Sequence, residues 1–124
     1  MIVENPLRIG DALREVLMGS SLVAEKVGGR IYPYTTQVDV KQPCIVYDDI
    51  VVDYVETKDG AVPSEITVSV NVNAGDYDES IAIAEEVLDV LMEEGNVSPL
   101  SVGCDYDSAA MMYVHGITIK VYIV

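Results

Sequence analysis

Residues 65–92 read EITVSVNVNAGDYDESIAIAEEVLDVLM, and within this one stretch the hydrophobic period changes. Over the first ten positions Ile66, Val68, Val70, Val72 and Ala74 alternate with Glu65, Thr67, Ser69, Asn71 and Asn73. A period of two puts apolar side chains on one face of a strand and polar ones on the other. Beyond Gly75 the spacing becomes helical: Ile81, Ala84, Leu88, Leu91 and Met92 form a stripe, with Glu85, Glu86, Asp89, Glu93 and Glu94 around it. Asp76 with Glu79 outlines a capping box at the start, and Gly95-Asn96 is expected to supply a left-handed residue at the end. A one-faced strand feeding an amphipathic helix implies a sheet with helices laid against it.

The flanking sequence repeats these parts. Upstream, residues 44–55 (CIVYDDIVVDYV) are β-branched and nearly alternating, with Cys44, Val46, Ile50, Val52 and Tyr54 on one parity and Tyr47, Asp49 and Asp53 on the other. The following ETKDGAVPS carries Asp59-Gly60 and Pro63 and reads as a hairpin tip. Downstream, residues 97–108 form a weaker strand and 109–124 a stronger one, with Ile117, Ile119, Val121 and Ile123 on one face. Nearer the start, Asn5-Pro6 begins a helix whose apolar face is Leu7, Leu13, Val16 and Leu17. Ser20 or Ser21 then caps a short second helix over 22–27, and the polar TTQVDVKQP of 35–43 reads as a loop. No repeat or linker divides the chain, so residues 1–124 are read as one domain. The fold class is α+β: an antiparallel (mixed) sheet of about four or five strands with two main helices on one face.

Composition narrows the function. Half of the residues are apolar, yet none is Trp or Phe, so valine and isoleucine must fill the core. With 21 acidic against 7 basic side chains the net charge is -14, and no two basic residues are adjacent. Such a field repels phosphate backbones, which argues against specific nucleic-acid binding. The apolar runs are far too short to span a membrane. Cys44 and Cys104 lie 60 positions apart without a CxxC, and read as two reduced, buried thiols in a cytoplasmic setting.

The paired glycines of VGGRIYP (residues 27–33) invite a phosphate-loop reading. A phosphate loop follows a strand and opens a helix; here the glycines follow a helix and precede Ile31-Tyr32, so they read as a helix cap, with Arg30 drawn to a carboxylate. The acidic clusters Asp48-Asp49-Asp53, Asp76-Asp78-Glu79 and Asp105-Asp107 lack the spacing of a calcium loop and read as solvated or capping groups. His115 shares the parity of Ile117 and Ile119, without a nucleophile elbow nearby. Met111-Met112 with Tyr106, Tyr113 and Tyr122 reads as core before contact surface. No catalytic group, cofactor or metal site is expected.

Taken in order, ALREVL, LVAEKVGGRIYP, the proline-bearing loop into QPCIVY, and the strand ending VNVNAGDYDESIAIAEEVLDVL resemble the small tail-completion (tail-terminator, head-tail joining) proteins of long-tailed bacteriophages and prophages. The likeness covers most of the chain, with residues 97–124 matching in general pattern only. It implies a non-enzymatic homo-oligomeric ring, typically a hexamer, that caps the tail tube and docks to the head-neck connector. The protein would then be made in the bacterial cytoplasm and end in the virion at the tail-head junction. In such a ring Arg30, Lys41 and Lys58 are expected to meet Glu85, Glu86 and Asp89 of a neighbour, with the Asp59-Gly60 tip and the 35–43 loop as further contacts. An acidic lumen would let DNA pass without sticking. Two other classes remain open: a dimeric, ferredoxin-like ligand-binding or enzymatic domain with a pocket near His115 and Tyr47, and an adaptor that adds a strand at a sheet edge.

Overall fold

The structure, a computed structural model, describes residues 1–34 and 41–123. The expected loop at 35–43 therefore lies largely outside the described residues. The chain begins with a 3₁₀ turn, Pro6–Arg8, opened by Asn5, whose Oδ1 accepts from the Leu7 amide at 3.1 Å. Helix α1 (Ile9–Met18) continues from it. A tighter turn shifts the facing of its side chains, so Leu7 stays 77% exposed and the apolar face consists of Ile9, Ala12, Leu13 and Leu17. Ser20 caps α2 (Ser21–Val27) by accepting from the Val23 amide. Gly28, left-handed at φ 61, closes it, as the sequence indicates.

Five strands follow: β1 (Ile31–Pro33), β2 (Cys44–Thr57), β3 (Gly60–Ala74), β4 (Val97–Asp107) and β5 (Met112–Tyr122). They form one open sheet in the order β1-β2-β3-β5-β4, with β1 parallel to β2 and every other pairing antiparallel. The α+β class and the mixed sheet agree with the sequence reading. The element order is not the βαββαβ of a ferredoxin-like layout.

Strand β2 departs from its expected parity. Asp49 sits at φ 51 and the register slips between Asp48 and Val51, a bulge that turns the later residues over. Ile45 and Tyr47 lie on the helix-covered face before it, Ile50 and Val52 after it, while Cys44 and Val46 point to the other side. The hairpin tip is also smaller than expected. Thr57 pairs with Gly60, so only Lys58 and Asp59 form the turn and most of ETKDGAVPS is strand. Thr57 Oγ1 pins the turn, donating to the Gly60 carbonyl at 2.7 Å and accepting from the Asp59 amide.

Strand β3 is as read: Ile66, Val68, Val70, Val72 and Ala74 are all fully buried beneath the helices. Each such side chain contributes about 1.5–3 kcal/mol relative to exposure. Helix α3 (Tyr77–Met92) crosses this face, capped by Asp76 Oδ2, which accepts from the Glu79 amide at 2.9 Å. Its buried positions are Ser80, Ile83, Ala84, Val87 and Leu91, so the core face is rotated from the expected stripe and Ile81, Leu88 and Met92 are left half-buried. The expected left-handed stop is absent: α3 ends at Glu93 with φ -69, and neither Gly95 nor Asn96 has a positive φ. Asn96 works through its side chain instead, accepting from the Met1 ammonium and donating to the Met1 and Tyr122 carbonyls. Gly10 has a steric purpose, because the Tyr47 ring occupies the space a β-carbon would need.

Candidate functional site

His115 is the one histidine, and α3 and β5 hold it between them, 8% exposed. Its Nε2 lies 2.8 Å from Ser80 Oγ. That hydroxyl also donates to the Tyr77 carbonyl at 2.6 Å, and having only one proton it must accept from the ring. Nε2 is therefore the protonated nitrogen. Cys104 Sγ approaches the same Nε2 at 3.6 Å, where it meets a donor and not a base. Tyr47, the other residue of the sequence-level pocket, is on the same face two strands away and packs on α1 at Gly10. The two do not converge.

The thiols differ from expectation. Cys44 is buried, with burial pushing its pKa up against the opposing influence of the Asn73 side chain and Arg30. Cys104 is exposed, because β4 is an edge strand that α3 leaves largely open. Among the described residues no group of three His, Cys, Asp or Glu side chains is placed to hold a metal ion, and no helix is long and apolar enough to cross a membrane. An open cleft of about 1190 Å³ lies between the N-terminal segment, α1 and α3, and Glu4, Asp11, Glu15, Glu86, Glu93 and Glu94 line it.

The expected contact residues fall into separate groups. Glu85 and Asp89 are exposed on α3, whereas Glu86 faces α1 and accepts from Ser20 Oγ at 2.9 Å. Arg30 and Lys41 belong to the opposite sheet edge, beside β1. Lys58 and Asp59 form the β2–β3 turn, which Gly60 closes at φ 111. Among the described residues Arg30 pairs with no carboxylate; its Nε donates to the Pro43 carbonyl and its Nη2 to that of Lys26.

Two residues that sequence reasoning passed over join Arg30. Arg14 Nη1 donates to the Ile31 carbonyl, and a β-carbon added at Gly29 would lie 3.2 Å from Arg14 Nη2. Arg14 and Arg30 thus gather around Gly28-Gly29, with Lys26 on the last turn of α2 just before it. The return of the chain at that turn brings Ile31 beside Arg14 of α1, and no local motif marks it.

Apolar surface is concentrated on the two hairpins. Glu65 pairs with Tyr122 and Ala74 with Tyr113, so the β2–β3 and β4–β5 turns leave opposite ends of the sheet. Val51, Tyr54, Val55 and Val62 are exposed on the first; Leu100, Val102, Tyr106 and Met111 on the second. Tyr106 and Met111, taken from sequence as core, are therefore surface. Tyr113 stacks between Tyr77 and Tyr106, with centroids 5.1 and 4.8 Å away.

An open sheet with helices on one face and two long hairpins bearing exposed apolar residues offers surface for contact with other chains. The chain belongs to the family of tail completion protein gp17, whose family model matches residues 11–110. It is thus a bacteriophage structural protein of the virion's tail-head region. Among solved structures it is similar in fold to a chain in the virion of a native gene transfer agent particle, with TM-score 0.73, 15% identity and 90% of each chain covered. No curated protein matches the chain.

Proposed function

We propose that this protein caps the tail tube and joins it to the head-neck connector as a homo-oligomeric ring, typically a hexamer, and that it acts without catalysis. Family membership supports the place of action, and the similar fold of a chain in a gene transfer agent virion agrees with it. The single observation that carries the ring is the division of the molecule into unlike edges. Six of the seven basic residues lie at or before Lys58, and only Lys120 follows, where it is paired with Glu65. Unlike edges favour head-to-tail contacts, and such contacts close into rings when the rotation permits. Non-catalytic action is supported by the protonated Nε2 of His115, which leaves Cys104 without a base on that side. A net charge of -14 suits a conduit through which DNA slides without adhering. Mass photometry tests the ring: a species of six chain masses is expected, alone or after addition of tail tube protein, and a stable two-chain species in both conditions would overturn it.

A further inference from the structure

The α3 helix carries more apolar surface than its own core uses. Tyr77, Ile81, Leu88 and Met92 follow one another down the flank next to the buried line and remain partly exposed. By helical geometry this flank is opposite the one bearing Glu86, which faces α1, so it overhangs β4. Beneath it, Val102 and Tyr106 share the helix-side facing of their partners Ile117 and Tyr113, and Val102 is 52% exposed. Glu85 and Asp89 border this trough on α3, and no basic residue occurs between 59 and 119; Asp105 and Asp107 lie on the other face of β4.

At the other edge of the sheet the charge has the opposite sign. Among the described residues no carboxylate comes within 4.0 Å of Arg14, Lys26 or Arg30, although the protein carries 21. The bonds of the two arginines go to carbonyls, which hold the guanidiniums in place without using a carboxylate of the described residues. A small anion is a poor occupant of this corner. The amides of Gly28, Arg30 and Ile31 already donate to Ala24, Val27 and Gly29, so the glycine turn offers no nest. Leu22, 36% exposed, lies one helical turn before Lys26 on α2 and adds apolar surface to the corner.

We propose that the α2–β1 corner of one copy seats in the α3–β4 trough of the next, with Lys26 and the two arginines against Glu85 and Asp89 and with Leu22 on the Ile81–Leu88 flank. This rests on the ring reading and gives it an interface. The pairing joins opposite edges of one sheet, so each copy offers both halves and no chain satisfies itself. Charge selects the orientation, while the apolar flank supplies the area, since a stable contact needs about 800 Å² from each partner.

Cysteine crosslinking decides it. The test chain carries Lys26→Cys and Asp89→Cys in a Cys104→Ser background, is mixed with cognate tail tubes, and is oxidised with diamide. A control chain carries Lys58→Cys and Asp89→Cys. The seat produces a covalent ladder from dimer upward in the test chain and none in the control. A ring that forms without that ladder overturns the seat and leaves the ring standing. Chains that never exceed a monomer, alone or on tubes, overturn both.

Discussion

Ser80 Oγ lies 2.8 Å from His115 Nε2, and the hydroxyl's own proton goes to the Tyr77 carbonyl. This bond fastens the first turn of α3 to β5 and makes the only histidine a structural donor. Replacing Ser80 with Ala leaves a buried N–H unsatisfied, at a cost of about 1–3 kcal/mol. Urea denaturation of the variant should show that loss while its attachment to tail tubes is unchanged. Equal stability with lost attachment would make the histidine a functional group.

Gly10 and Tyr47 are a steric pair. An alanine in a helix normally gains about 1 kcal/mol over glycine. Here the new methyl meets the Tyr47 ring, so Gly10→Ala is expected to destabilise by about 1–3 kcal/mol. Adding Tyr47→Leu should recover part of that, and the non-additivity in a double-mutant cycle is the readout.

Gly28→Ala places a side chain at φ 61 and is expected to cost about 1 kcal/mol. Gly28→Asn, better tolerated in the left-handed region, should cost less. Thermal midpoints of the three proteins give the ranking, and an alanine as stable as glycine would contradict the cap.

The two cysteines separate by reactivity. At neutral pH one thiol per chain, that of Cys104, should react rapidly with an aromatic disulfide reagent, and Cys44 only on unfolding. Because burial raises the Cys44 pKa, the folded state holds this proton more tightly than the unfolded chain. Its contribution is therefore complete below the unfolded thiol pKa and is lost as pH rises through the folded one. Cys44→Ala should flatten the alkaline limb of a stability-pH profile; an unaltered limb would contradict the assignment.

The β2–β3 hairpin runs past the helices, with exposed Tyr54, Val55 and Val62 near a turn of Lys58 and Asp59. Deleting residues 58–61 should weaken the ring and leave the monomer folded, because none of the four belongs to the core. Light scattering beside circular dichroism separates these effects, and an oligomer of undiminished mass would remove the hairpin from the contact.

Where one physical cause dominates, the sequence is legible. Strand β3 alternates cleanly because one of its faces is wholly buried, and the caps at Ser20, Gly28 and Asp76 are local chemistry. The errors arise where distant parts compete. A single bulge at Asp49 reverses β2, and nothing in CIVYDDIVVDYV announces it. The core face of α3 is rotated from the stripe its sequence suggests because its apolar residues serve two faces, one toward the core and one toward β4. Cys104 and Tyr106 read as core from sequence, yet both lie on an edge strand that the helices cover only in part. The cation cluster at Gly28-Gly29 needed the fold, as Arg14 and Arg30 are 16 positions apart.

Cryo-electron microscopy of cognate tail tubes mixed with the purified protein addresses the central claim most directly. The account predicts one ring of six copies at a single end of each tube, with a channel through its middle. Bare tube ends, or copies scattered along the tube wall, would contradict it.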